Sequence, residues 1–200
     1  MTLTLPWGWV DVPPPNAPRR GLLKRDPFEV LAREFVASGA VIRPLLRPTR
    51  DYLHRIAQAD PNPLRLAAHI AAPTRTDTTF ANVLVLGPVL VPRLGGGDVD
   101  WDEISRRAAL PAASRAGGKA CGVERVSVPW GAAVKVSWTP NRGTEGPAPT
   151  TRAVGYWVLP NHLASLIVIH GDVSAGSTDE SCRLLSEIDA MVMSMTVLPG

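Results

Sequence analysis

Two hydrophobic periods succeed one another along this chain, and the changeovers mark its elements. Leu3 to Val12 reads as a short strand in which Pro6 marks an edge or a bend. A proline-rich link, Pro13 to Pro18, follows. Asp26 to Ser38 then predicts a helix: Asp26 is suited to the N-cap, Pro27 to the first turn and Glu29 to N3, and Gly39 ends it. Phe28, Leu31, Phe35 and Val36 fall on one face at the 3.6 period. Arg47 to Ala59 predicts a second helix burying Tyr52, Leu53 and Ile56, broken by Pro61 and Pro63.

From Leu64 the period becomes two. Leu64, Leu66, Ala68 and Ile70 alternate with Arg65, Ala67 and His69, the pattern of a half-buried strand with His69 on its solvent face. Asn82 to Val91 is nearly continuous in Val and Leu, as in a central strand covered on both faces. After the glycines 95 to 97, Asp98 to Ala113 predicts a helix with Asp100 and Glu103 at capping-box spacing and Trp101, Ile104, Ala108 and Leu110 facing inward. Strands follow at Val123–Val128, Ala132–Trp138, Arg152–Leu159 and Leu163–His170. Thr139 to Thr151, rich in Pro, Gly and Thr, makes a hairpin tip, and Pro160 to His162 a tight turn. Trp138 and Trp157 are core positions on these strands. The chain closes with a helix from Thr178 to Met195, capped by Ser177 or Thr178. Its apolar stripe is Leu184, Leu185, Ile188, Met191, Val192 and Met195.

This order predicts one α+β domain over residues 1–200: a mostly antiparallel sheet of six or seven strands flanked by helices. Residues 64–199 form the sheet core and C-terminal helix, and 3–63 an N-terminal strand and helical elaboration with two extra helices. Composition agrees with a globular chain, at 45% hydrophobic and 20% charged residues. No apolar run approaches the roughly 20 residues that span a bilayer. Met1 to Val10 has neither a basic n-region nor a long apolar h-region, so the expectation is a cytoplasmic protein. Cys121 and Cys182 match no metal-ligand spacing and read as free thiols in a reducing compartment.

A resemblance goes further. Leu5-Pro6-Trp7-Gly8-Trp9 is similar to the opening strand of the PsbP-like α/β/α sandwich superfamily. Asn82-Val83-Leu84-Val85, the helix start Asp98 to Arg106, Gly155-Tyr156-Trp157-Val158 leading into Ser165-Leu166-Ile167-Val168, and Ile188-Asp189-Ala190-Met191 with Ser194 continue the likeness. Together, residues 82–199 and 3–10 most resemble the actinobacterial LpqN-type branch. The resemblance implies a layered sandwich and the scaffold, assembly-factor or secretion-chaperone roles of that superfamily, and carries over no catalytic residue. Two features depart from it: exported members carry a signal and a lipid-bearing cysteine that this chain lacks, and Asp26 to Ala59 has no counterpart.

The constellations that invite a catalytic reading each lack a component. His170, Asp172 and Ser174 are close in sequence, but Gly171 to Gly176 is one residue too long for a G-x-S-x-G elbow, and a strand end with a polar turn accounts for them. The glycines 95 to 97 precede Asp98, Asp100, Asp102 and Glu103, whose charges repel a phosphate, and no Lys-Ser/Thr follows. Those acids alternate as in a calcium loop but lack its glycine and its distant glutamate. His54, His69, His162 and His170 form no zinc spacing. No catalytic, cofactor or metal residue is assigned.

The binding candidates are of a different kind. The net charge is only +3, yet Arg43, Arg47, Arg50 and Arg55, with Arg19, Arg20, Lys24 and Arg25, make the N-terminal third basic. That suits an acidic protein partner better than nucleic acid, because no aromatics interleave with the charges. Trp7 and Trp9 share one face of a short edge strand, where they either cover the sheet or anchor a partner. The expectation is a non-enzymatic adaptor, assembly factor or chaperone that binds another protein, with self-association compatible. A small-molecule or lipid carrier with a cleft between sheet and helices is the alternative, and an enzyme of unrecognised type a third.

Overall fold

The computed structural model describes residues 2–12, 63–71, 79–115, 122–140 and 150–197. In chain order the elements are β1 (Trp9–Val12), β2 (Pro63–Ala71), β3 (Thr79–Leu90), α1 (Trp101–Arg115), β4 (Gly122–Val128), β5 (Gly131–Trp138), β6 (Thr150–Pro160), β7 (Ser165–Ala175) and α2 (Thr178–Ser194). Five strands in the spatial order β3-β7-β6-β5-β4 make an antiparallel sheet, which β2 and then β1 extend beyond β3. The sheet is open, with β4 and β1 as its ends among the described residues. After β3 the chain crosses through α1, and the β4-β5-β6-β7 meander returns so that β7 docks beside β3. The seam pairs Val83 with Gly171 and Leu84 with His170.

Alternate residues of each strand point to opposite faces, so the two faces fill independently. On one, Val83, Val85, Val154, Tyr156, Val158, Ile167, Ile169 and Val173 pack with Leu184, Ile188, Met191 and Val192 of α2. On the other, Val134, Val136, Trp138, Ala153 and Leu166 pack with Ile104, Ala108 and Ala112 of α1. The fold is thus α+β, with one helix among the described residues on each side of an antiparallel sheet.

Both helices start where their caps dictate. Asp100 Oδ1 accepts from the Glu103 backbone N–H at 2.9 Å, and Ser177 Oγ accepts from the Glu180 N–H at 3.2 Å. Glu103 does not complete a reciprocal box. Its carboxylate takes Arg106 and Arg107 instead, and those guanidinium hydrogen bonds hold it down at about 2. Close approach of α2 is set by Gly171: a Cβ there would lie 3.0 Å from Ile188 Cδ1 and Cγ2 and 3.3 Å from Val154 Cγ1. The helix rests directly on the strand because that side chain is missing.

Several expectations need correction. The opening segment is strand only from Trp9; residues 7 and 8 form a turn. Ala67 and His69 of β2 are buried, so the face assigned to solvent is a core face. With small apolar residues at both alternating sets, alternation alone cannot name the inner face. Leu110 is 56% exposed: α1 buries Ile104, Ala108 and Ala112 at four-residue steps, and position 110 lies on the opposite arc. The strand placed at Leu163–His170 runs on to Ala175. The helices expected at 26–38 and 47–59 and most of the 139–151 tip lie outside the described residues. No helix among the described residues is long and apolar enough to cross a membrane.

Candidate functional site

The site is built on the turn Pro6-Trp7-Gly8-Trp9. The Trp9 N–H donates to the Pro6 carbonyl at 3.1 Å, and Gly8 takes φ +84°, a left-handed conformation that glycine adopts without cost. The turn sends its two tryptophans apart. Trp7 is 95% exposed and Trp9 is 6% exposed. The expectation that they share one strand face is therefore wrong. The residue between them belongs to a turn, so period-two alternation does not apply.

Trp9 and His69 pin the turn. Trp9 Nε1 donates to Glu187 Oε2 of α2 at 2.7 Å, and Glu187 also takes the Arg183 guanidinium through Oε1. His69, paired with Trp9 across β1 and β2, places its ring 5.7 Å from the indole. His69 Nδ1 lies 2.9 Å from the Gly8 carbonyl. A carbonyl can only accept, so Nδ1 carries the hydrogen and Nε2 the lone pair. His69 is 7% exposed, and burial pushes its pKa below the ordinary 6.5. At the chain start, Thr2 and Thr196 exchange backbone hydrogen bonds at 2.8 and 3.1 Å, and Leu3 enters the α2-face core. The segment thus runs alongside α2, with Trp7 projecting from its tied turn.

A second polar group lies on the α1 face. Asn82, Asp172, Ala153 and Trp138 stand in one row across β3, β7, β6 and β5. His170 Nε2 and Asp172 Oδ2 are 3.0 Å apart, and the Trp138 ring stacks on the imidazole with centroids 5.2 Å apart, reaching it across Gly155. Asn82 is fully buried, and neither its amide nitrogen nor its oxygen has a hydrogen-bond partner; nor does Trp138 Nε1. Ser174 does not join His170: two same-face steps along a strand separate them by ~13 Å. These residues lie inside β7 and not at a strand end, which corrects the expected polar turn.

On the α2 face, Tyr156 Oη donates to Asp189 Oδ1 at 2.5 Å and Lys135 Nζ to Oδ2 at 2.8 Å. Burial, and then the Asp189 carboxylate, push the phenol pKa up, so Tyr156 acts as a donor clamping α2 to the sheet and not as a base.

Of the residues singled out in the sequence, Trp7 and Trp9 are placed and separated, while Arg43, Arg47, Arg50 and Arg55 lie outside the described residues. The acidic stretch before α1 is occupied by local work: Asp100 caps the helix and Asp102 pairs with Arg125 at 2.9 Å. Cys182 is an exposed free thiol on α2. The sequence pattern places His69 on a solvent face and gives Glu187 and the Asn82 side chain no role. Each acquires its role from a residue distant in sequence. Only the Pro-x-Gly turn signal ahead of Trp9 could have warned that Trp7 would be set apart.

No family model, curated protein or solved structure matches this chain.

Proposed function

We propose that this protein is a non-enzymatic adaptor or assembly factor that binds another protein, with Trp7 as the central anchor. The observation that carries the reading is an indole held 95% in water on a turn that is itself fastened by Trp9 and His69. Burying such a side chain yields roughly 1.5–3 kcal/mol, and a pre-set turn loses little further freedom when it docks. Tryptophan is the residue most often found at the energetic centre of interfaces. The partner presents an apolar pocket to Trp7, and an acidic character would suit the charges of Arg43, Arg47, Arg50 and Arg55. A PsbP-like sandwich in the cytoplasm is the setting we assign, supported by the order of motifs along the chain.

The test compares the wild-type protein with Trp7→Ala and Trp7→Phe as baits in host extract, with quantitative identification of what is retained. A defined protein should be retained by wild type, lost about tenfold or more with Trp7→Ala, and partly recovered with Trp7→Phe, at unchanged thermal stability. Identical retention by all three would overturn the reading.

One observation favours a second reading, a small-molecule carrier. A fully buried carboxamide with both ends unpartnered beside Asp172 is rare in proteins and fits a polar ligand on the α1 face. Native mass spectrometry of monomeric protein would show such a ligand, and Asn82→Leu would remove it.

A further inference from the structure

We propose that His69 is an acid-sensitive latch on the Trp7 turn: proton uptake at Nε2 frees the segment 2–12 from β2 and α2 and withdraws the anchor. Its consequence for binding rests on Trp7 being that anchor; the latch itself does not.

The geometry leaves the imidazole one comfortable state. With Nδ1–H given to the Gly8 carbonyl, Nε2 is an unused lone pair in a buried setting, which costs less than a buried unpaired charge. Once protonated, the same atom is a charged donor with no acceptor, and burying such a group is expensive. Among the described residues the groups facing the ring are few. From the N-terminal segment come the Gly8 carbonyl and the Trp9 indole, and from α2 the charges of Glu180, Arg183 and Glu187. On β3 its cross-strand neighbour is Ala81, which is apolar.

Glu187 is the carboxylate placed to compensate an imidazolium, and it is already engaged. One oxygen holds Trp9 Nε1 at 2.7 Å and the other holds Arg183. To receive His69–H⁺ it must share an oxygen already holding the indole or Arg183, which loosens the hold on β1. Proton uptake and attachment of the N-terminal segment therefore compete for one carboxylate. Burial outweighs the attraction of Glu187 and Glu180, so the folded imidazole binds its proton less readily than a free one. The sign follows: the latch is fully closed above the free-histidine value of 6.5 and loses free energy as pH falls below it.

Hydrogen exchange of the full chain, read on peptides covering 2–12 and corrected for intrinsic exchange, tests this from about pH 7.5 to about pH 5. Wild-type protection of 2–12 should fall about tenfold or more across that range while β6 and β7 peptides stay protected. His69→Asn keeps a donor for Gly8 without titrating and should remove the pH dependence. Glu187→Gln keeps an acceptor for Trp9 but cannot neutralise an imidazolium, so the closed state tolerates the proton still less and the loss of protection on acidification should be larger. Constant wild-type protection, or the same pH midpoint in His69→Asn, would overturn the latch. Neither result depends on any partner, so failure of the latch and failure of the Trp7 reading are distinguishable.

Discussion

The two faces of the sheet are made from alternate residues of the same strands, yet they are filled by different rules. The α2 face is a continuous apolar layer in which the long polar side chains that enter it end in hydrogen bonds. Tyr156 reaches Asp189, Trp9 reaches Glu187, and Trp130 Nε1 donates to the Val192 carbonyl at 2.8 Å. Ser181 Oγ and His69 Nε2 are the exceptions. The α1 face has an apolar half, where Ile104, Ala108 and Ala112 cover Val134 and Val136. Its other half carries Asn82, His170 and Asp172, with the Asn82 amide and the Trp138 indole nitrogen left without partners. Apolar burial is the main source of folding free energy, and a buried polar group without a partner subtracts from it. The α2 face is therefore the stabilising side. The polar half of the α1 face holds the Asn82 amide and the Trp138 indole nitrogen, whose burial without partners costs stability.

Three substitutions would break or sharpen that contrast. Ile188 is fully buried and seated on Gly171, which has no side chain of its own to fill a gap. Ile188→Ala should cost roughly 2–5 kcal/mol in denaturant unfolding; a loss near zero would mean the α2 face is not the stabilising side. Asn82→Leu should act in the opposite direction. Replacing an unpartnered buried amide by an apolar group of similar size should stabilise by about 1–2 kcal/mol. If it destabilises as much as Ile188→Ala, the amide is paired in solution and the two faces are alike. The smallest effect belongs to the surface around α1. Asp102→Asn removes the pair with Arg125, whose Asp102 side chain is 97% exposed. The melting temperature should move by no more than about 1 °C, with less effect in high salt.

Much of the fold was legible from periodicity. The strands at Val123, Ala132 and Arg152 and the α2 stripe through Leu184, Ile188, Met191 and Val192 follow from local patterning, since a helix or strand half in water must alternate at its own period. The caps at Asp100 and Ser177 are local in the same way. Where the pattern offers two candidate faces it fails, and β2 shows it: Leu66 and Ala67 look equally suitable for a core, and the structure buries Ala67. Trp130 was missed because Pro129 and Gly131 mark a turn, yet the turn folds its indole under α2.

The candidate site divides along the same line. Pro6-Trp7-Gly8-Trp9 contains, by itself, the turn that separates its two tryptophans, because Gly8 admits a left-handed backbone at the third position. That Trp9 is the buried one, and that His69 and Glu187 hold it, was decided only by tertiary structure. Residues 9, 69 and 187 meet through a β1–β2 pairing and the docking of α2, and no local pattern encodes contacts across such separations. Local sequence determined where this chain turns and which stripes it buries. The assembled sheet decided which tryptophan faces water and which histidine does not, because exposure belongs to the surroundings of a residue and not to the residue.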